Sequence, residues 1–206
     1  NPLKDFSPIA MLGRGPLLVV SSKASGIQSV SQLITAARAN PGALTYCSAG
    51  PGSINHLAAE LFTQMADISM THVPYKGSGP ATLDFLAGRT QIFFATVPTI
   101  RSHVREDKVN VLAVTSTTRS AMYPEVPTMA ASGVAGYDVS TWWGISAPAG
   151  VPEHLVNALN TAINSVSSAL KNRLLSVVER TQCREVNRQR DLLFVVMARA
   201  RPASGV

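Results

Sequence analysis

The chain has 206 residues, of which 46% are hydrophobic and 15% charged, a composition that can bury a core and that excludes a disordered chain. Its net charge of +6 leaves nucleic acid, an anionic membrane and an acidic small ligand open as partners. Basic residues concentrate from Lys171 onward, where we interpret them as a solvated helical face, so we predict no nucleic-acid partner. No segment reaches the roughly 18 apolar residues that a membrane-spanning helix needs.

Cysteine usage and the start of the chain leave alternatives open. Cys47 and Cys183 form neither a CxxC pair nor a zinc-ligand spacing with histidine. We expect Cys47 to be a packed free thiol, with a disulfide to Cys183 as the alternative. The sequence starts at Asn1 without Met or a signal peptide, which indicates a processed form or a fragment.

Hydrophobic periodicity alternates between strand and helix patterns from residue 16 to residue 116. Predicted strands lie at 16–22, 44–47, 68–75, 90–95 and 109–116. Predicted helices lie between them at 29–42, 53–65, 78–88 and 97–106, and the first has a capping box of Ser29 and Gln32. This order predicts an α/β fold with a mostly parallel sheet and flanking helices.

The alternation ends after Ser116, and the chain leaves the compact α/β unit near Ser120. A loop around a short helix is predicted at 115–139, followed by another strand and turn at 140–150. A helix is predicted from 151 to 170, with Pro152 in its first turn. Its buried face is expected to be an apolar stripe, formed by Leu155, Leu159, Ala162, Ile163, Val166 and Leu170.

Three predicted strands end in loops of small or hydroxyl-bearing residues, at the edge where ligands of open parallel sheets gather. The first loop leads into a helix start, whose N–H groups and positive dipole end suit an anion. We therefore expect a small anion there, in first place a carboxylate, with an ordinary tight βα turn as the alternative. The candidate ligand-binding residues are Ser48, Ala49, Gly50, Gly52, Ser53 and His56 in the first loop, Tyr75 and Lys76 in the second, and Thr96 in the third.

Motifs for nucleotide binding and catalysis are absent from these loops. No GxxxxGKS/T phosphate loop occurs, and GPGSIN places Asn55 where the third glycine of GxGxxG would stand. Ser53 and His56 lie three apart and suggest a Ser/His hydrolase or transferase, but neither a GxSxG elbow nor a nearby acid accompanies them. We favour Ser53 as a helix cap and His56 as a polar wall, and we predict no catalytic residue, no metal and no cofactor.

Several further side chains have interpretations of their own. His72 lies in the middle of a predicted strand, so we interpret it as structural. Lys76 is expected either at the mouth of a cleft or in solvent. Trp142 and Trp143 alternate faces on a strand, so one belongs to the core and the other to a pocket wall, for which Trp142 is our candidate.

Four collinear stretches carry a family resemblance, which extends from Asn1 to about Leu170: NPLKDFSPIAMLGR, LTYCSAGPGSINHLAAELF, HVPYKGSGPATLDFLAGRTQIFF and VNVLAVTSTTRSAMYPEVPTMAASGVAGYDVSTWWGISAPAGVP. They resemble the Bug receptors, the substrate-binding proteins of tripartite tricarboxylate transporters. The resemblance implies a fold similar to type II periplasmic binding proteins, in which two α/β lobes close over a small organic anion. It also implies a periplasmic location, transporter subunits in the membrane as partners, and no enzymatic activity.

The resemblance also assigns parts of the chain. Residues 17–120 would be one complete lobe, and residues 1–16 with 121–206 would be part of the other, joined by crossover strands that act as a hinge. The Ser48-Ala49-Gly50 turn, Ser53 and His56 match the family's ligand loop, with the ATVPT turn beside them.

Three departures from the family pattern qualify this assignment. The family's N-terminal PGG loop, which grips the carboxylate, has no counterpart here, Ala95 stands near a position that is often Asp, and the pattern is lost from about Thr181. A truncated, non-binding remnant is therefore an alternative function. The incomplete lobe would expose apolar faces, so we also expect self-association.

Overall fold

The computed structural model describes residues 1–180, which divide into two compact units. The sheet unit comprises Gly15–Thr141, and the terminal unit comprises Asn1–Arg14 together with the chain from Trp142 onward. The strands are β1 (Phe6–Ser22), β2 (Thr45–Ser48), β3 (Thr71–Pro74), β4 (Ile92–Thr96), β5 (Val109–Val114) and β6 (Ser140–Pro148). The helices are α1 (Pro2–Asp5), α2 (Val30–Ala39), α3 (Ile54–Ala66), α4 (Ser78–Leu86), α5 (Val97–Arg105) and α6 (Glu153–Arg180).

The central sheet has the strand order β3-β2-β4-β1-β5. β2 pairs in parallel with β3 and β4, whereas β1 pairs antiparallel with both β4 and β5. Four strands therefore point the same way, because each of their connections contains one helix that returns the chain to the same edge. β1 enters the sheet from the terminal unit and runs in the opposite direction. The predicted α/β class with flanking helices is confirmed, and β1 is the strand that makes the sheet mixed.

Each face of the sheet is covered by its own apolar layer. Alternate β1 residues point to opposite faces: Leu17 and Val19 join one core cluster, and Leu18 and Val20 join the other. The first cluster is completed by α2 and α3, with Phe62 as its largest helix side chain. The second is completed by α4 and α5, through Phe85 and Ile100. The strand pattern thus reads as a continuous apolar run because both faces are buried.

Helix starts agree closely with their sequence signals. Ser29 caps α2, and its side chain accepts a hydrogen bond from the Gln32 N–H group, as the capping box predicts. In a capping box the Gln32 side chain would also accept from the N–H group of Ser29. Here Gln32 Oε1 accepts instead from the N–H group of Gln28, at 2.7 Å. The predicted strand at 68–75 is shorter in the structure, since β3 is an edge strand whose pairing ends with its single partner β2.

The terminal unit corrects the predicted burial of α6. Leu155, Leu159 and Val166 are 46%, 45% and 59% exposed, and Ala162 is also exposed. The less exposed residues of α6 are Val156, Asn160, Ile163 and Ser167, and Asn160 Nδ2 donates to the carbonyl of Ile9 in β1 at 2.6 Å. Ile163 therefore lies where the stripe predicted it, the other four described members of the stripe lie on the exposed side, and the Leu170 side chain lies outside those described. Self-association through this stripe stays a prediction.

Two other expectations concern single features. Cys47 is buried and free, and burial is the main reason why the pKa of its thiol is raised to about 12. Cys183 lies outside the described residues. Within residues 1–180, no helix combines the length and apolar character that crossing a membrane requires.

Thr115 joins three backbone segments of the sheet unit and provides a stability test. Its buried hydroxyl accepts from the Leu17 N–H group at 2.8 Å and lies 2.7 Å from the carbonyl of Val139. Thr115→Val keeps the shape but leaves the buried Leu17 donor unpaired, so we expect the free energy of unfolding to fall by about 1–3 kcal/mol. Urea denaturation followed by circular dichroism measures this change.

Thr161→Val is the matched control for that substitution. Thr161 is exposed on α6, where its hydroxyl bonds only the Asn157 carbonyl, so we expect a change within about 0.5 kcal/mol. Equal destabilisation by the two substitutions would show that the hydrogen bond from the Leu17 N–H group to the Thr115 hydroxyl adds no stability of its own.

Candidate functional site

The candidate site begins at the 48–53 turn, the segment from Ser48 to Ser53 that connects β2 to α3. Gly50 and Gly52 have φ angles of +124° and +75°, in the region that residues with a Cβ rarely adopt. A Cβ on Gly50 would also lie 3.2 Å from the carbonyl oxygen of Tyr75. The tiny side chains seen in the sequence are therefore required by the backbone path and by the neighbouring loop.

Side chains within the turn bond its own backbone. Ser48 Oγ accepts from the Gly50 N–H group at 3.1 Å, and Ser53 Oγ donates to the Gly50 carbonyl at 2.7 Å. Ser53 also caps α3 by accepting from the N–H group of His56, as predicted. The Gly52 N–H group donates to Nδ1 of His56 at 3.2 Å. The Ser53 N–H group also donates to the Gly50 carbonyl at 3.1 Å. Five hydrogen bonds thus hold the turn, and the backbone donors of Gly50, Gly52 and Ser53, which were expected to be free, are satisfied.

The first turn of α3 retains donors of its own. A helix leaves its first N–H groups without intrahelical acceptors, and the Ser53 cap satisfies only that of His56. In the described part of the chain, the N–H groups of Ile54 and Asn55 have no acceptor. The Asn55 side chain is buried and donates to the Phe94 carbonyl at 2.6 Å, which ties the start of α3 to β4.

A stack of three rings lies beneath the turn, and the sequence analysis missed it as a unit. The histidine stack consists of Tyr46, His56 and His72, with ring centroids 4.9 Å apart for Tyr46–His72 and 4.2 Å for His56–His72. His72 Nε2 lies 2.6 Å from Ser48 Oγ, so a residue interpreted as structural contacts the candidate site directly. The stack follows from the parallel register of β2 and β3, which sets Tyr46 opposite His72. This register is the information that the sequence analysis lacked.

Electrostatics in the stack favour neutral groups. The Tyr46 hydroxyl donates to Glu60, and burial followed by this carboxylate raises the pKa of Tyr46 above its usual range. Burial, and then the nearby His56, lower the pKa of His72, against the opposing effect of Glu60. Nε2 of His56 lies 4.0 Å from the Glu60 carboxylate.

The second loop lies directly beside the first. The Tyr75 N–H group donates to the Ser48 carbonyl and the Gly77 N–H group to that of Ala49, both at 3.1 Å. The Tyr75 hydroxyl bonds Asp84 on α4 at 2.9 Å, and burial and Asp84 raise its pKa to about 12. Lys76 is exposed, as expected if its side chain lies in solvent. The alternative, a position at the mouth of a cleft, stays a prediction.

The remaining predicted residues are placed differently. Thr96 ends β4 at the same edge of the sheet, and its hydroxyl lies 2.7 Å from that of Thr99 in the first turn of α5. Ala95 is fully buried in the second core cluster. Trp142 belongs to the terminal unit and is 69% exposed, whereas Trp143 is partly buried. The contribution of Trp142 to a site stays a prediction.

The geometry disfavours nucleophilic catalysis. The ring nitrogens of His56 make no hydrogen bond to Ser53, whose hydroxyl is engaged by the Gly50 carbonyl. Ser48 and His72 are close enough for a nucleophile and base, but Ser48 is completely buried and no carboxylate bonds the other nitrogen of His72. Among residues 1–180, no three metal-ligating side chains cluster.

The parallel strands β2, β3 and β4 end together in loops that lead to helix starts and carry no acidic side chain, an arrangement typical of ligand-binding α/β folds of the periplasmic-binding type. Solved structures agree with this class. An R. palustris protein with adipate superposes with a TM-score of 0.77 and 36% identity, covering 79% of this chain and 55% of that one. MatC from Rhodopseudomonas palustris with bound malate superposes with a TM-score of 0.75 and 29% identity, covering 80% of this chain and 56% of that one.

The sequence comparisons identify the family. Residues 1–182 match the tripartite tricarboxylate transporter family receptor, so the chain belongs to that receptor family, as the resemblance implied. The UPF0065 protein in the tcbD-tcbE intergenic region of Pseudomonas sp. (strain P51) is 40% identical over 167 residues, which are 81% of this chain and 50% of that protein. The chain spans about half the length, 50% and 50%, of the first curated relatives that it matches.

Gly50 gives a direct test of the geometry of the turn. We expect Gly50→Ala to lower the free energy of unfolding by about 1–3 kcal/mol, because a side chain is strained at this φ angle and approaches the Tyr75 carbonyl. Urea denaturation of the variant measures the loss.

Gly13→Ala is the matched control, since Gly13 lies inside β1 with nothing within 4 Å of an added Cβ and no positive φ angle. It should stabilise the chain by about 0.5–1 kcal/mol, because glycine inside a strand loses more backbone freedom on folding than alanine. Unchanged stability of the Gly50 variant would show that the turn adopts another conformation in solution.

Proposed function

We propose that the chain contributes to an extracytoplasmic receptor that captures a small organic carboxylate in the periplasm and delivers it to transporter subunits in the membrane. Membership of the receptor family supports this, as do two related structures that carry adipate and malate. In this proposal the sheet unit corresponds to the complete lobe and the terminal unit to part of the other lobe. The receptor has no enzymatic activity.

One observation supports carboxylate binding most directly. The first turn of α3 presents the N–H groups of Ile54 and Asn55 without acceptors, at the positive end of a 13-residue helix dipole. Two adjacent N–H groups match the two oxygens of a carboxylate, and the edge of the turn carries no acidic side chain to repel it. In this proposal the carboxylate would lie beside the predicted residues Ala49, Gly52 and Ser53.

The other predicted residues would act around this point. Lys76 is the exposed cation of the neighbouring loop, so it would attract the ligand without being buried against it. Thr96 supplies a hydroxyl at the same edge. The nearest competing function, a hydrolase based on Ser53 and His56, lacks the hydrogen bond that would activate the nucleophile.

A ligand titration tests the proposal. The panel consists of adipate, malate, citrate, succinate, aspartate and glutamate. We expect at least one of these carboxylates to raise the melting temperature of the chain saturably. At a hundredfold excess over Kd the stabilisation should be about 2.7 kcal/mol by mass action. Thermal shift followed by isothermal titration calorimetry measures both quantities. A chain that binds no carboxylate in this panel would favour the alternative of a non-binding remnant.

Ile54→Pro locates the site, because proline removes the N–H group and is tolerated at the first position of a helix. The preceding Ser53 already has φ −66° and ψ 156°, which proline requires of its neighbour. We expect Ile54→Pro to weaken carboxylate binding about tenfold or more, as for loss of a hydrogen bond to a charged group. Ile54→Val keeps the N–H group and should bind within about twofold of the original chain. Equal affinities for the two variants would place the ligand elsewhere.

A further inference from the structure

Two histidines on different elements hold the hydrogen bonds that shape the 48–53 turn. His56, on α3, places Nδ1 3.2 Å from the backbone nitrogen of Gly52. His72, on β3, places Nε2 2.6 Å from Ser48 Oγ. A backbone N–H group can only donate, so Nδ1 of His56 has to be the unprotonated acceptor. A neutral His56 therefore carries its proton on Nε2, the nitrogen that faces Glu60.

The contacts of the Ser48 hydroxyl favour one tautomer of His72. Ser48 Oγ accepts from the Gly50 N–H group, and its single proton has two acceptors in reach: His72 Nε2 at 2.6 Å and the Gly50 carbonyl at 3.3 Å. That carbonyl already accepts from the hydroxyl and the N–H group of Ser53. The shorter contact therefore takes the proton, and a neutral His72 carries its own proton on Nδ1.

The surroundings of His72 disfavour a charge on its ring, because burial and the neighbouring His56 lower its pKa. The centroids of the two rings are 4.2 Å apart, so a charge on one ring opposes a charge on the other. In the described residues, the titratable groups that face them are Tyr46 from β2 and Glu60 from α3. The Glu60 carboxylate already accepts the Tyr46 hydroxyl.

We propose that His56 and His72 are paired positioning residues, which keep the 48–53 turn in its ligand-binding shape only while both rings are neutral and hold opposite tautomers. The inference rests on the proposed function, because the shape of the turn matters to binding only if the turn binds the carboxylate. It deepens that function by predicting that capture depends on pH.

Protonation breaks a different bond at each ring. On His56 the added proton occupies Nδ1, and the Gly52 donor loses its acceptor. On His72 it turns Nε2 into a donor, and the Ser48 hydroxyl must rotate toward the Gly50 carbonyl. The pKa of His72 is lowered in the folded chain, so its contribution is complete above the ordinary histidine pKa of about 6.5. It is lost as the pH falls from there through the folded value.

Histidine NMR tests the tautomers without any ligand. Long-range proton–nitrogen spectra of the full chain, recorded from pH 7.5 downward and assigned with single His→Gln variants, report the protonated nitrogen of each ring. We expect Nδ1–H for His72 and Nε2–H for His56, and His72 should titrate below the ordinary histidine pKa of about 6.5. The same tautomer in both rings, or titration of His72 at or above that ordinary value, would overturn the proposal.

Binding variants test the consequence for capture, with adipate and malate as probes. His72→Phe keeps a ring in the stack but removes the acceptor, so affinity at pH 7.5 should fall about tenfold. His72→Gln restores an acceptor near the position of Nε2 without a titrating group, so it should recover most of that loss. It should also show a smaller decline in affinity between pH 7.5 and pH 5 than the original chain. His154→Gln, on α6, should change neither quantity.

The outcomes separate the two proposals. Suppose that the original chain binds a probe and that its affinity declines between pH 7.5 and pH 5 no more than the affinity of His72→Gln does. The inference is then wrong, and the proposed function stands. Failure of His72→Gln to recover the loss caused by His72→Phe would also overturn the inference. If no carboxylate binds at any pH, the proposed function fails, and the NMR tautomers alone decide whether the histidines shape the turn.

Discussion

The sheet unit depends on the complete burial of residues 17–20 of β1 between two neighbouring strands and two helix layers. From Leu17 to Val20 every side chain is inaccessible to solvent, and alternate residues feed opposite core clusters. A strand buried on both faces needs hydrogen-bonding partners on both edges, which β4 and β5 supply. Because β1 runs against them, β4 and β5 are parallel to each other, and the helices that connect β2 to β5 must cover both faces.

That arrangement determines where a ligand site can form. β2, β3 and β4 are parallel neighbours, so their carboxyl ends lie at one edge and their loops must share a narrow space. The loops after β2 and β3 bond each other through Tyr75 and Gly77, and a Cβ on Gly50 would press on the Tyr75 carbonyl oxygen at 3.2 Å. The packing of these loops therefore requires small residues at this edge, whether or not a ligand binds. Because the residues are small, the start of α3 stays open to a ligand.

Local signals in the sequence predicted the elements, whereas contacts between elements were largely out of reach. Ser29 and Ser53 cap helices as predicted because a cap depends on residues three positions apart. The phase of α6 was wrong because an apolar stripe indicates a face but not its neighbour, and Asn160 rather than Leu159 faces β1. His72 was interpreted as structural because its contact with Ser48 requires the register of β2 and β3.

The lack of charged side chains in the 48–53 turn suits the proposed receptor function. A buried charged side chain would hold a carboxylate strongly, but it would cost several kcal/mol of desolvation and would slow release to a transporter. Backbone N–H groups at a helix start provide directed donors that need no reorganisation, provided that the turn is already rigid. Here the rigidity comes from Ser48, Ser53 and the two histidines, which occupy the other polar groups of the turn. In the proposed function, the side chains at this edge would therefore serve mainly to shape the backbone, and the backbone would bind the ligand.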